Sequence, residues 1–283
     1  MAQLAGYSSY KYYAITSPGE FVAHVEINRP KKLNAFLEDM WLELRRIFEQ
    51  LSTDPDVRVV VLSGAGDRAF TAGLDVQAAS ENGALKGQEG VDTARAAFKL
   101  KRYITEFQDC ITAVEKCEKP VICVLHGISI GLAIDLSCAA DIRIAAKDAR
   151  FSVKEVDIGM AADIGTLARL PKAVSSASWV KEVCLSARFF GAAEALSVGF
   201  VSQVHESKAD ALNAAMKLAS LIASKSPVAV QGTKELLNHA RDHTVEDNLK
   251  YTAVWNANAL QAPDMANALL SGIQKTKARF EKL

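Results

Sequence analysis

"VRVVVLSG" at residues 57–64 and "PVICVLHG" at residues 120–127 are the two stretches that decide the fold. Both are short, nearly continuous apolar runs rich in β-branched residues, without an alternation of apolar and polar positions. Runs of this kind are typical of parallel strands that are covered on both faces. The sequence therefore predicts a parallel sheet with helices packed against it.

Strand-like and helix-like segments alternate around these two runs. Residues 21–30 alternate apolar and polar positions as a strand does, whereas residues 37–51 carry apolar side chains at helical spacing. A long polar helix is expected at about 91–117, and a short strand at 141–146. Such alternation implies right-handed βαβ units and an α/β layered core.

The segments beyond about residue 205 all have helical patterns. We therefore expect two domains, an α/β core with the active site over residues 1–205 and a helical domain over residues 206–283. Helices appended to the end of an α/β core often cover a neighbouring subunit, so a homo-oligomer is expected.

The composition argues against several classes of function. The chain has 33 Lys and Arg residues against 33 Asp and Glu residues, which indicates neither a nucleic-acid-binding nor a membrane-binding surface. It has no apolar run long enough to span a bilayer. The five cysteines are irregularly spaced, as in reduced intracellular proteins, and the five histidines form no metal-binding motif, so no metal is expected.

Carboxylates stand out in the stretch "FSVKEVDIGMAADIG", residues 151–165. Glu155 and Asp163 lie there among apolar and small residues, although charged acids are rarely buried without a partner. Their spacing alone leaves two interpretations. One acid caps a helix while the other pairs with Lys154 or Arg169, or the two acids act together in proton transfer.

Two glycine-containing turns also follow predicted strands. In "AFTAGLDV", residues 69–76, Gly73 permits close approach of a ligand to the backbone, and Asp75 is placed to cap a helix. In "HGISIGLAIDLSCAAD", residues 126–141, the start of an apolar helix presents unpaired N–H groups that suit a developing negative oxygen. Asp135 lies within that apolar helix and needs either a partner or a raised pKa.

Taken together, these motifs resemble the enoyl-CoA hydratase/isomerase (crotonase) superfamily over nearly the whole chain. The resemblance is carried by "INRPKKLNAF", "AFTAGLD", "KPVICVLHG" and "ADIRIAA" in that order. Three further stretches, "VKEVDIGMAADIGTLARLP", "SKSPVAVQGTK" and "RDHTVEDNLKY", look most like its Δ3,5-Δ2,4-dienoyl-CoA isomerases. The resemblance implies a crotonase-type spiral of repeated ββα units with a C-terminal helical oligomerisation domain. It also implies an acyl-CoA thioester substrate, a trimeric or hexameric assembly and no cofactor.

The resemblance further implies how the substrate is held. The thioester oxygen would lie between the backbone N–H groups of Leu74 and Leu132, which together form an oxyanion hole. Leu132 stands where the family usually has glycine, so its side chain is expected to change the pocket or the turn, although the N–H group persists. The residues of the first loop that would bind the substrate are Ala72, Gly73, Leu74, Asp75 and Val76.

The same resemblance gives roles to three acids. Glu155 would take a proton from C2 of a 3,5-dienoyl-CoA, Asp163 would donate one to C6, and Asp135 would support them. Ordinary hydratases carry a small residue at the place of Asp163, which makes Asp163 the discriminating residue. Burial is expected to raise the pKa values of Glu155 and Asp163. The residues expected to bury them are Val156, Ile158, Met160 and Ile164.

Other functions and locations stay open. The same scaffold could support enoyl-CoA hydration or Δ3,Δ2-enoyl-CoA isomerisation, or serve as an inactive CoA-ester-binding scaffold, which Leu132 keeps possible. The final residues Glu281, Lys282 and Leu283 resemble the peroxisomal address Ser-Lys-Leu, so a peroxisomal location is expected, with a mitochondrial one as the alternative.

Overall fold

The computed structural model describes residues 2–82 and 90–283 and shows an α/β fold with two sheets. The strands are β1 (Ala2–Gln3), β2 (Tyr13–Gly19), β3 (Val22–Ile27), β4 (Val59–Gly64), β5 (Ala69–Thr71), β6 (Val121–Leu125), β7 (Ile128–Ile130), β8 (Ile142–Ala146), β9 (Arg150–Ser152), β10 (Phe190–Gly191) and β11 (Gln203–His205). The helices of the described ranges are α1 (Glu38–Thr53), α2 (Val76–Asn82), α3 (Thr93–Lys116), α4 (Leu132–Ala139), α5 (Thr166–Ala173), α6 (Ala177–Ser186), α7 (Ala192–Ser197), α8 (Lys208–Ala223), α9 (Pro227–Ala240), α10 (Val245–Ala259) and α11 (Asp264–Ile273). Short 3₁₀ helices span Pro30–Lys32 and Glu155–Ile158.

The main sheet has seven strands in the order β1-β2-β3-β4-β6-β8-β11, and the second has four in the order β10-β9-β7-β5. The neighbours from β3 to β11 are parallel, whereas β1, β2 and β3 pair antiparallel. Each of β4, β6 and β8 is followed by a short strand in the second sheet and then by helical structure. This repetition confirms the predicted α/β spiral of ββα units.

The core lies on both faces of the main sheet. Strands β4 and β6 are buried along their whole length, which confirms the prediction made from the two apolar runs. Alternate residues of a strand point to opposite faces. Val60 and Leu62 accordingly pack in a cluster with α1, α3 and α4, whereas Val59 and Val61 pack against the alanine-lined face of α8.

The described chain beyond β11 forms helices α8 to α11, as predicted, but residues 274–283 after α11 are not helical. Helix α8 packs on the main sheet, and α9 packs against α10. The division of the chain at residue 205 stays a prediction. Helices α10 and α11 expose large apolar side chains, namely Val245, Leu249, Val254, Met265, Leu269, Leu270 and Ile273. Over the described ranges, every helix is too short or too polar to cross a membrane.

Candidate active site

The first loop of the candidate site follows β5 and is fixed to the segment before α1. The N–H of Phe36 donates to the carbonyl oxygen of Gly73 at 2.8 Å, and the N–H of Asp75 donates to the carbonyl oxygen of Phe36 at 2.9 Å. Leu74 lies between these bonded groups, and its N–H has no acceptor among residues 2–82 and 90–283. The loop therefore leaves the N–H of Leu74 available to a ligand.

The other residues of this loop have structural contacts. Ala72 is half-buried, whereas Val76 at the start of α2 is exposed. The Asp75 carboxylate accepts from Nη1 of Arg29 at 2.7 Å and from the N–H of Ala78 at 3.2 Å. The hydrogen bond from Arg29 lowers the pKa of Asp75. Its carboxylate thus caps α2 and fixes the loop.

The second loop joins β7 to α4 and lies against the first. Gly131 has a φ of +56°, which favours glycine, and its N–H donates to the carbonyl oxygen of Ser152 at 2.9 Å. Leu132 is the first residue of α4, and no described group accepts a hydrogen bond from its N–H. A Cβ added at Gly73 would lie 3.6 Å from the nitrogen of Leu132. The two free N–H groups are therefore on adjoining loops.

The leucine at position 132 fits this geometry. Its side chain is 4% exposed and packs in the hydrophobic core. The left-handed backbone conformation of the turn falls on Gly131, whereas Leu132 already belongs to the helix. A side chain is therefore tolerated at this position.

Glu155 lies beside the second loop. A Cβ added at Gly131 would be 3.4 Å from Oε1 of Glu155. Oε2 of Glu155 is buried and has no hydrogen-bond partner in the described part of the chain. Burial, followed by the negative charges of Asp135 and Asp163, raises the pKa of Glu155 to about 7. A carboxyl group of this kind can gain or lose a proton near neutral pH.

Asp135 is 2% exposed within α4. Its Oδ1 accepts from the N–H of Thr166 at 2.6 Å and from the Thr166 hydroxyl at 2.8 Å. Burial raises the pKa of Asp135 to about 6, although the hydrogen bonds from Thr166 and the positive charge of Arg169 oppose the rise. Asp135 is thus the acid with hydrogen-bond support in the group.

Asp163 completes the group of acids. Its backbone oxygen accepts from Nε2 of Gln108 on α3 at 2.5 Å, and burial raises the pKa of its carboxyl. The charge of Asp163 raises the pKa values of both Glu155 and Asp135. The fold therefore brings all three acids within electrostatic range of one another.

The ion pairs suggested by sequence spacing form elsewhere. Lys154 pairs with Asp157 at 2.6 Å, and Arg169 pairs with Glu115 at 2.8 Å. Among the described residues, neither Glu155 nor Asp163 forms an ion pair with a basic side chain. The two acids are therefore not neutralised in the way that a purely structural interpretation requires.

The prediction of what buries the acids is wrong for three of its four residues. Val156, Ile158 and Met160 are exposed, Ile158 by 59%, whereas Ile164 is half-buried and packs on the core. In the 3₁₀ helix, Glu155 points inward while the side chains after it point outward. Other neighbours shield Glu155 instead, because α6 packs on this 3₁₀ helix and Gly131, just before α4, lies against the Glu155 carboxyl.

A cavity of about 420 Å³ opens beside Asp163. Its lining includes Gln108, Gly165 and Arg169, but Glu155 does not line it. A cavity of about 600 Å³ lies elsewhere, between α5 and α9, and contains none of the predicted site residues. Asp163 is thus among the residues that line this cavity, whereas Glu155 lies against the second loop.

Two polar residues of the site escaped sequence reasoning. Thr166 is fully buried at the start of α5, and Gln108 reaches across from α3. A small polar residue directly after Gly165 is a usable signal for Thr166, because such residues are common where helices begin. Gln108 lies in a polar helix and has no comparable signal. In the described ranges, no group of three or more His, Cys, Asp or Glu side chains is arranged to hold a metal ion.

The chain matches the enoyl-CoA hydratase/isomerase family over residues 18–282. It is 46% identical over 279 residues to a mouse protein named mitochondrial Δ(3,5)-Δ(2,4)-dienoyl-CoA isomerase, covering 97% of this chain and 84% of that one. An Arabidopsis thaliana protein named as the peroxisomal form is 42% identical, covering 93% of each. The crystal structure of an enoyl-CoA hydratase from Bacillus anthracis superposes with a TM-score of 0.86 at 24% identity, covering 96% of this chain and 99% of that one.

Proposed function

This chain belongs to the enoyl-CoA hydratase/isomerase family, and on that premise we propose that it converts 3,5-dienoyl-CoA into 2,4-dienoyl-CoA in fatty-acid β-oxidation. The observation that carries the proposal is the grouping of Asp163 with Glu155 and Asp135. The resemblance assigns an acid at position 163 to the isomerases and a small residue to the hydratases. The names of the mouse and Arabidopsis relatives support the same reaction.

The reaction moves one proton over four bonds. Glu155, as a carboxylate, removes a proton from C2, and the electron pair left behind is shared between the diene and the thioester oxygen. Asp163, as a carboxylic acid, then donates a proton to C6, so that the double bonds finish at C2 and C4. Glu155 ends protonated and Asp163 ends charged, and return of the proton resets the site. The substrate exchanges no electrons with the protein, so the step needs no cofactor.

The free N–H groups of Leu74 and Leu132 would bind the dienolate oxygen. Both groups lie on adjoining loops and lack acceptors among the described residues. Removing one donor of an oxyanion hole typically raises the barrier by about 3–4 kcal/mol. In this arrangement Ala72, Gly73, Asp75 and Val76 shape the loop, and Asp135 acts on its neighbouring acids.

The proposal extends to assembly and location. Residues 1–205 would form the core with the active site, and residues 206–283 would join subunits into a trimer or hexamer. The exposed apolar side chains of α10 and α11 support this role. A peroxisomal location is proposed, with the mitochondrion as alternative, because the relatives include proteins of both compartments.

The decisive assay follows the ultraviolet band of the 2,4-conjugated product after addition of a 3,5-dienoyl-CoA. We expect the unmodified protein to produce this band and Asp163→Asn to lower kcat by about 100-fold or more, because an amide cannot supply the proton. Asp157→Asn is the matched control, since Asp157 is an exposed acid on the same segment and pairs with Lys154.

Other outcomes would replace the proposal. Efficient hydration of a 2-enoyl-CoA, with no reaction of the diene, would indicate a hydratase. Binding of CoA esters without either reaction would indicate an inactive scaffold. Full activity of Asp163→Asn would show that Asp163 does not donate the proton to C6.

A further inference from the structure

We infer that Thr166 is a positioning residue that holds Asp135 as a carboxylate beside Glu155 and so makes Glu155 a stronger base. The inference rests on the proposed function, in which Glu155 removes the C2 proton. Thr166 and Asp135 are both buried, lie 31 positions apart in sequence, and meet where α5 begins against α4.

Thr166 gives Asp135 two hydrogen bonds on one oxygen. Its N–H lies 2.6 Å and its hydroxyl oxygen 2.8 Å from Oδ1 of Asp135. The backbone N–H can only donate, and it belongs to the first residue of a helix, where N–H groups have no partner within the helix. Two donors that converge on one carboxyl oxygen stabilise the charged form.

The surroundings of Asp135 otherwise favour its neutral form. The ionisable groups that face it are Glu155, Asp163, Arg169, Cys138 and Cys184. Arg169 is the positively charged member of this set. Its guanidinium, however, donates to the carboxylate of Glu115 from Nε at 3.0 Å and from Nη2 at 2.8 Å. Much of that charge is therefore already balanced, and Thr166 makes the direct contacts that keep Asp135 ionised.

An ionised Asp135 acts on Glu155 through like-charge repulsion. The negative charge of Asp135 raises the pKa of Glu155, and a carboxylate with a higher pKa takes a proton more readily. Oε2 of Glu155 has no hydrogen-bond partner in the described structure, and the backbone groups of Lys154 and Glu155, which lower its pKa, offset this effect only in part. Thr166 thus influences the base through Asp135, without a contact of its own to Glu155.

Replacing Thr166 by valine tests the inference, because valine removes the hydroxyl, keeps the backbone N–H and has a similar shape. We expect kcat for the dienoyl-CoA to fall about 10-fold with KM nearly unchanged, as for loss of one hydrogen bond to a charged group. Asp135 should then keep its proton to higher pH, and Glu155 should ionise beside a neutral neighbour. The acidic limb of the kcat/KM profile should therefore move to lower pH.

Thr166→Ser is the matched control, because it retains the hydroxyl and should restore both kcat and the position of the acidic limb. A purely structural role predicts a loss of activity at every pH without movement of the limb. An unmoved limb in Thr166→Val would overturn the inference, as would a serine variant as impaired as the valine variant.

A second measurement separates this inference from the proposed function. Infrared difference spectra recorded against pH report the protonated carboxyl of Glu155, which is assigned by its absence in Glu155→Gln. In Thr166→Val we expect its midpoint to fall by about 1 pH unit. A lower Glu155 midpoint in Thr166→Val, in a protein that does not isomerise the diene, supports the positioning role of Thr166 and rejects the proposed isomerase activity. If the protein isomerises the diene but the Glu155 midpoint is unchanged in Thr166→Val, the isomerase activity is supported and the positioning role of Thr166 is rejected.

Discussion

At the scale of a single residue, Glu155 shows that a residue suited to catalysis can lower the stability of the folded protein. Its carboxyl is shielded, one of its oxygens has no hydrogen-bond partner in the described structure, and it lies close to two other acids. A buried charge without compensation destabilises the folded state. The same environment that makes Glu155 suitable for proton transfer therefore lowers the stability of the protein whenever Glu155 is ionised.

Glu155→Gln should stabilise the protein in a pH-dependent way. The folded-state pKa of about 7 lies above the ordinary value of 4.5, so the folded protein binds the extra proton between these values and loses stability as the pH rises through them. Relative to the unmodified protein, we expect the variant to gain up to about 3 kcal/mol in the free energy of unfolding near pH 8 and little near pH 4. Denaturant titrations at both pH values measure this.

Asp157→Asn serves as control for that experiment, because Asp157 is exposed and paired with Lys154. It should show no comparable gain that grows with pH. An equal effect of Glu155→Gln at both pH values would show that ionisation of Glu155 does not destabilise the folded protein.

At the scale of elements, the site depends on how closely two turns approach each other. The turn after β5 and the turn after β7 touch at Gly73, where an added Cβ would lie 3.0 Å from the carbonyl oxygen of Ile130. The corresponding strands β5 and β7 are parallel neighbours in the second sheet, so their following turns lie side by side. Strand pairing thus brings together N–H groups that are far apart in the sequence.

Gly73→Ala should separate these two turns. Gly73 has a φ of +86°, and Gly199, at +80°, has no atom within 4 Å of an added Cβ. Alanine at either position should cost about 1 kcal/mol of stability from backbone strain. Only Gly73→Ala should also lower kcat, by about 10-fold or more, because the N–H groups of Leu74 and Leu132 no longer converge.

Thermal unfolding and steady-state kinetics of Gly73→Ala and Gly199→Ala distinguish the effect of backbone strain from that of moving the two turns apart. If Gly199→Ala lost as much kcat as Gly73→Ala, backbone strain alone would explain the loss. If Gly73→Ala kept full activity, the proposed oxyanion hole would need other donors.

At the scale of the whole molecule, the C-terminal helices present an apolar surface. Leu269, Leu270 and Ile273 on α11 are all more than half exposed, as is Leu249 on α10. Exposed large apolar side chains on neighbouring turns of a helix are typical of association sites between subunits. The surface fits the proposed oligomer and gives a direct test of it.

The double variant Leu269→Glu/Ile273→Glu should dissociate the assembly. Burying two charged groups in an interface between subunits costs at least about 3 kcal/mol at each contact. Light scattering should show a trimer or hexamer for the unmodified protein and a mass near the 30.5 kDa of one chain for the variant. Leu185→Glu on α6, also highly exposed, should leave the mass unchanged. An unmodified protein that is already monomeric would contradict the proposal.

Much of the fold was predictable because it depends on local patterns. The continuous apolar runs at 57–64 and 120–127 became β4 and β6, and the helical spacing at 37–51 became α1. The outward orientation of Ile158 was not predictable in this way. It depends on a 3₁₀ turn and on packing by α6, neither of which leaves a periodic signal in four residues.

The sequence by itself determined the α/β class, the helical C-terminal region and the presence of three acids at positions 135, 155 and 163, because residue type and periodicity are local properties. Only the tertiary structure decided that these acids lie together, that Arg169 pairs with Glu115, and that Thr166 holds Asp135. The Thr166–Asp135 hydrogen bond and the Arg169–Glu115 ion pair join residues 31 and 54 positions apart, and like the grouping of the acids they follow from how helices and sheets pack.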